Sequence, residues 1–383
     1  MTIPLRFIDR SRITTDWNCP RKRFWQYEFE GRGIVPDVTS LELFLGTAVH
    51  DGLARIGDAA RVDRQGTLTA ESYTPIIDEI AAQAQRDVYE SLAKVPDGET
   101  PDADTLTFAA EQAALIEGLL RGFHRYTWPR LLAQGWTIVA VEQEVLYSIS
   151  ETLRFMSRPD LILADPEDNW WYVEYKSTSS KKSQWVESWA TAVQLHSSIK
   201  AVEETLGHPV TGVMVQGLYK GYESYGRQNS PFCYAYVRPG NPPFSVEQVR
   251  YDYAAGFKRQ PTWERPGGVR QWVAEMPEEI LADQFPQAPP IFVKEELVEA
   301  FFRQTAVREA QIAAAVGMIA GGQDDIMDSA FPQKFDQCQP AWGRGCSYRR
   351  LCHGHVLNPL EQGFKPREAH HQPEMDAHAG EGL

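Results

Sequence analysis

Two β-rich runs separated by a short turn carry charges where a buried strand would be apolar, and this conflict limits the available folds more than any other feature. The first contains Ser157-Arg-Pro-Asp160-Leu-Ile-Leu, the second Trp170-Trp-Tyr-Val-Glu174-Tyr-Lys176, and Asp165-Pro-Glu-Asp-Asn169 between them is a turn signal. Alternate side chains of a strand share a face, so Glu174 and Lys176 point one way and Tyr175 the other, with Asp160 opposite them on the neighbouring antiparallel strand. The flanking apolar residues set these charges against a packed core, where an unpaired charge is costly unless a metal or counter-charge accompanies it. Two carboxylates and an amine so arranged suit metal-assisted hydrolysis of a phosphodiester. Hard oxygens hold Mg²⁺ or Mn²⁺, and the lysine orients a water and offsets developing charge. The competing reading is a set of ordinary cross-strand charges.

The surrounding pattern is α/β. Helical spacing predicts helices over 41–56, 73–92 and 106–134. From residue 136 the pattern becomes β: TIVAVEQEVLYSI, LRFMSRPDLILAD and WWYVEYKS read as three consecutive antiparallel strands. A helix over 185–206 and strands over 210–219 and 231–237 follow, giving an αβββαββ order. Residues 238–290 read as loops with short helices, and 292–320 as one helix.

Of the 383 residues, 43% are hydrophobic and 23% charged, as in globular proteins, so disordered and fibrous classes are excluded. The longest weakly polar stretch, 312–320, is too short to span a bilayer, and the charged opening MTIPLRFIDRSR lacks a secretory core. No membrane association and a cytoplasmic location are expected. The net charge of −14 argues against coating nucleic acid by bulk attraction, but not against a local basic groove. No nucleotide-binding GxxxxGK[ST] element, G-x-S-x-G elbow or H-E-x-x-H motif is present.

Pro159-Asp160 with Glu174-Tyr175-Lys176, together with the hairpin and the following helix, resembles the PD-(D/E)xK nuclease superfamily. Gly46-Thr-Ala-Val-His50 is similar to the GxxxH element of its RecB-like branch, which includes AddB-type and CRISPR-associated iron–sulfur exonucleases, and Gln194 stands where that branch has a glutamine. The resemblance implies metal ligation by His50, Asp160, Glu174 and the Tyr175 backbone carbonyl, with Asp160, Glu174, Lys176 and Gln194 as the catalytic set. Glu144 is a secondary candidate for the same site.

Cys19 lies near one end of the chain and Cys338, Cys346 and Cys352 near the other. Four thiolates gathered from both ends would act as a staple and suit a [4Fe–4S] cluster or a structural zinc. The RecB-like branch places its cluster cysteines in this order. The Cys346–Cys352 spacing matches that branch, whereas Cys338 stands further from Cys346 than usual, and His353 or His355 could substitute for it. Cys233 reads as a buried small hydrophobe. Arg21, Lys22, Arg23 and Trp25 form a basic, aromatic segment suited to gripping single-stranded DNA, although packing around the cysteines explains the same residues.

The expected architecture is therefore a restriction-endonuclease-like core, a mixed central sheet flanked by helices, with helical N-terminal insertions and a cysteine-bound cluster joining both ends. Its segments are 1–40 (basic, with the first cluster cysteine), 41–135 (helical, with the histidine motif), 136–240 (nuclease core), 241–355 (helical, with three cluster cysteines) and 356–383 (disordered tail). The expected activity is a Mg²⁺- or Mn²⁺-dependent deoxyribonuclease, with exonuclease action favoured, in recombination, repair or phage DNA processing. Its substrate would have single-stranded character, and a helicase or recombination partner is compatible with the family. The alternatives are the same hydrolase with zinc in place of the cluster, or a non-catalytic DNA-binding or assembly subunit.

Overall fold

The computed structural model describes residues 5–37, 41–62, 70–92, 101–178, 185–186, 189, 193–220, 230–236, 259–292, 294–323, 325–338, 345–354, 358–361, 363–369 and 371. The chain opens with β1 (Arg6–Asp9), α1 (Arg10–Asn18) and β2 (Ile34–Pro36). Three long helices follow: α2 (Leu41–Val62), α3 (Thr74–Leu92) and α4 (Ala103–Ala133). The next strands are β3 (Thr137–Val141), β4 (Val145–Ser150), β5 (Leu153–Ser157), β6 (Leu161–Ala164) and β7 (Trp170–Thr178), then α5 (Val193–Leu206) and β8 (Val210–Tyr219). Beyond them lie β9 (Tyr234–Tyr236), β10 (Arg259–Pro261), α6 (Gly268–Glu275), α7 (Glu278–Gln284), β11 (Ile291–Phe292), α8 (Glu295–Ala320) and β12 (Phe364–Pro366).

Local chemistry accounts for the helices. On α2, Leu45, Val49, Leu53 and Ile56 recur at helical spacing and are all buried. The Asp102 carboxylate caps α4 by accepting from the Thr105 N–H at 2.7 Å, and Gly135, at φ +80, lets the chain leave the helix in a left-handed conformation. α2 packs closely: a Cβ on Gly52 would lie 2.7 Å from the Leu120 methyls of α4.

A five-stranded mixed sheet of order β11-β8-β7-β6-β3 forms the centre. β7 runs parallel to β8 through the α5 crossover, and β6 is antiparallel to both β7 and β3. Leu161, Leu163, Val173 and Tyr175 pack on one face with α2, α3, α4, α6 and α7. Ile162, Tyr172, Val213 and Val215 pack on the other with α5, α8 and a second sheet of order β1-β5-β4. Each fully buried aliphatic side chain in these two layers contributes roughly 1.5–3 kcal/mol. The result is a mixed α/β fold consistent with a restriction-endonuclease-like core. No helix among the described residues is long and apolar enough to cross a membrane.

Two expectations need correction. The three strands read across 137–178 are five, in two sheets, because each of the first two runs breaks in the middle. Glu142 takes φ +45 and ends β3, and Arg158-Pro159-Asp160 separates β5 from β6, where Pro159 has no N–H for a ladder. The tail expected to be disordered from residue 356 is ordered in part, since Phe364–Pro366 pair antiparallel with Ile34–Pro36. Burying Phe364 against Ile34, Tyr348 and Leu351 supplies the reason. Residues 372–383 lie outside the described residues.

Candidate active site

Both strand breaks fall at the same end of the central sheet, and the functional candidates gather there. The β6–β7 register pairs Leu161 with Val173, so Asp160 stands one residue before the ladder, beside Glu174. One Asp160 oxygen, Oδ2, accepts from the Tyr175 backbone N–H at 2.6 Å, and the other, Oδ1, lies 3.0 Å from His50 Nδ1. A residue in an extended strand projects its N–H and C=O to the same side, so the Tyr175 carbonyl lies on the same edge of β7. His50 arrives from α2 with its ring edge-on to that of Tyr175, 6.4 Å between centroids.

Glu174 lies on the other face of β7 from Tyr175 and is only 3% exposed. Its Oε1 accepts from Arg10 at 2.6 Å and from the Lys176 amine. Burial pushes the Glu174 carboxyl up, but Arg10 and then Lys176 outweigh it and hold the group at about 2. The two cations therefore keep a buried carboxylate ionised.

A cleft of about 750 Å³ opens at this end of the sheet, lined among others by Arg10, His50, Glu142, Ser157, Arg158 and Asp160. Glu174 does not line it, but its partner Arg10 does. Sequence reading passed over Glu142, Arg10 and Arg158. An unbroken strand would have set Glu142 and Glu144 on one face, and only the left-handed turn at Glu142 separates them. Glu142 Oε2 accepts from Arg158 Nε at 2.9 Å, while Glu144 is held by His371 Nδ1 at 3.2 Å. Burial, and then the neighbouring Asp160 carboxylate, raise the Glu142 carboxyl to about 7. Burial lowers His50, but its hydrogen bond to Asp160 prevails and the ring is more basic than a free histidine.

His50, Glu142 and Asp160 each offer a ligand atom, and these atoms lie within 4.8 Å of one another. A six-coordinate Mg²⁺ or Mn²⁺ with bonds of about 2.1 Å sets ligand atoms about 3.0 Å apart when adjacent and about 4.2 Å when opposite. This nitrogen-and-oxygen donor set fits such an ion after small side-chain adjustments. Gln194 opens α5, but its side chain lies outside the described residues.

The cysteine end of the molecule is organised differently. Cys19 and Cys338 are buried, and Cys346 and Cys352 half-buried. Burial, then Cys346 and Cys19, raise the Cys338 thiol, so three of the four sulfurs feel one another. Burial takes Cys352 to about 11, with Cys346 and Cys19 adding to the rise. Among the described residues these four sulfurs do not form a three-ligand group within 4.8 Å. Cys233 is buried against Glu111, as expected of a small hydrophobe, and burial raises its thiol. His353 is exposed at the end of the short helix Arg349–Cys352, and His355 lies outside the described residues.

Much of the basic segment faces inward. Arg21 is buried against Asp328 and the Phe331 carbonyl, Arg23 is fully buried between Glu28 and Glu309, and Trp25 packs among Phe24 and Phe29. Lys22 and Trp25 are half-buried. The aromatic spacing belongs to a core that joins the two chain ends, and burial has turned the cations inward to paired acids.

A model of the PD-(D/E)XK nuclease superfamily matches residues 10–353 of the chain. Among curated proteins none matches.

Proposed function

The chain belongs to the PD-(D/E)XK nuclease superfamily, and from that premise we propose that it is a metal-dependent deoxyribonuclease that degrades DNA from strand ends. The observation that carries this reading is the convergence of His50, Asp160, Glu174 and Lys176 at one end of the central sheet. Asp160 and His50 would hold Mg²⁺ or Mn²⁺ together with Glu174 and the Tyr175 carbonyl. The bound ion would polarise the scissile phosphate and acidify a water.

The residues themselves divide the remaining work. The Tyr175 N–H fixes one Asp160 oxygen, which leaves the orientation of the carboxylate little freedom. Lys176, paired with Glu174 and about one-third exposed, presents an amine that orients the attacking water and offsets charge on the phosphate oxygens. Arg10 keeps Glu174 ionised and lines the cleft where a phosphodiester would lie.

A [4Fe–4S] cluster on Cys19, Cys338, Cys346 and Cys352 is the second part of the proposal. It is supported by the mutual electrostatic influence of these thiols, which are drawn from both ends of the chain. Anaerobic purification tests it: a brown, iron-containing protein is expected, and a colourless protein with stoichiometric zinc overturns it.

Digestion of end-labelled linear and circular single-stranded DNA with Mn²⁺, and with EDTA, tests the activity. Linear substrate should shorten from one end and circular substrate should survive. Loss of circular DNA replaces end-dependent with internal cutting, and no Mn²⁺-dependent cleavage of either substrate overturns the enzyme reading in favour of a binding subunit.

A further inference from the structure

We propose that Glu142 is a direct ligand of the divalent cation, supplying an oxygen on the His50 side of Asp160 that no residue of the Asp160…Glu174-Tyr175-Lys176 pattern provides. This rests on the metal-dependent reading above and deepens it. Reach comes first: a Glu142 oxygen, a His50 ring nitrogen and an Asp160 oxygen lie within 4.8 Å of one another, a span that one hard cation bridges with little movement. Glu174 is outside that group, and its Oε1 is already held by Arg10 and Lys176.

Placement comes second. The Glu142 backbone N–H donates to the Asp160 carbonyl at 3.2 Å, which ties the end of β3 to the residue preceding β6. The two carboxylates are therefore joined through their main chains and both line the cleft. Orientation comes third: Arg158 Nε holds Glu142 Oε2 at 2.9 Å, as outer partners commonly hold a metal-ligating carboxylate. Arg158 stands two residues before Asp160, so one short segment supplies both a ligand and the residue that aims a second ligand from another strand.

Glu144 provides an internal control. It lies two residues further on, has the same charge, and is engaged by His371 instead. The experiment is a calorimetric titration of the full chain with MnCl₂, comparing wild type, Glu142→Gln, Glu144→Gln and Asp160→Asn. Glu142→Gln should weaken Mn²⁺ binding at least about tenfold, Glu144→Gln less than about twofold, and Asp160→Asn most of all. A Glu142→Gln protein that binds Mn²⁺ like wild type while Asp160→Asn does not overturns the assignment and leaves the nuclease reading standing. A wild-type protein that neither binds Mn²⁺ nor cleaves DNA strikes the nuclease reading itself.

Visible absorption of the Co²⁺-loaded protein separates ligation from a through-space effect of charge. A changed spectrum in Glu142→Gln supports ligation, and a weakened affinity with an unchanged spectrum overturns it. Should Glu142→Gln fail to fold, Glu142→Asp keeps the charge and withdraws the oxygen by one methylene. It should weaken Mn²⁺ binding at least about threefold, and wild-type affinity in that variant overturns the proposal.

Discussion

The cleft and the junction of the two chain ends are built from the same materials, arginines and carboxylates drawn from distant parts of the sequence, yet they are arranged to opposite purposes. At the junction, Arg23 is enclosed between Glu28 at 2.8 Å and Glu309 at 3.1 Å, with Arg6 adding to both acids at 3.3 and 3.5 Å. Arg12, Arg23 and Arg367 also lie over the ring of Tyr27, 5.0–5.4 Å from its centroid. In the cleft, His50, Glu142 and Asp160 crowd together beside an opening of about 750 Å³, and Glu174 behind them is kept ionised by Arg10 and Lys176. Closed, balanced pairs hold a structure together. Carboxylates gathered beside an open cleft, with their partners at the rim, can exchange those partners for a cation.

The comparison can be broken most directly at Lys176. Lys176→Ala should lower the rate of DNA cleavage about 10³-fold or more, since it removes a charge aimed at the transition state. Its melting temperature should move by only a few degrees, because Arg10 still partners Glu174. Cleavage at the wild-type rate would remove Lys176 from the reaction.

Arg23→Met makes the converse change at the junction. Leaving Glu28 and Glu309 buried without their shared cation should cost about 3 kcal/mol in urea unfolding. Cleavage per folded molecule should stay at the wild-type level. A large loss of activity without loss of stability would mean that the two regions are coupled.

Acid sharpens the contrast, and its sign follows from His50. The folded protein holds the His50 proton more tightly than a free histidine does, so protons compete with a metal from above pH 6.5 downward. Glu142, raised to about 7, takes up a proton in the same window, so Mn²⁺ affinity measured by calorimetry should fall at least about tenfold for each pH unit below these values. An affinity that is level between pH 8 and pH 6 would exclude His50 as a ligand.

The smallest effect is expected at Arg10. Arg10→Met takes away a cation that both occupies Glu174 and repels an incoming ion, so Mn²⁺ should bind a few-fold more tightly, on the order of 0.5–1 kcal/mol. Weaker binding would instead make Arg10 a support that Glu174 needs for ligation.

Much of this was legible from residue order. The spacing of Leu45, Val49, Leu53 and Ile56 announced α2 and carried His50 with it, and the alternation through Trp171, Val173 and Tyr175 set Glu174 on the opposite face of β7. Arg10 was not legible, because its partner Glu174 lies 164 residues away and no local period links them. The inward turn of Arg21 and Arg23 was not legible for a related reason: composition reports which groups are present, while burial depends on Phe331, Glu309 and other residues more than 280 positions distant.

Local periodicity and the chemistry of Asp160, Glu174 and Lys176 thus determined the α/β character, the family and the outline of the site. Tertiary structure alone decided where the strands break, which of Glu142 and Glu144 enters the cleft, and which arginines are sealed inside. The physical reason is range. Helix and strand patterns arise from neighbours within a few residues, whereas burial and charge pairing are settled only when distant segments meet and each buried ion must find its partner.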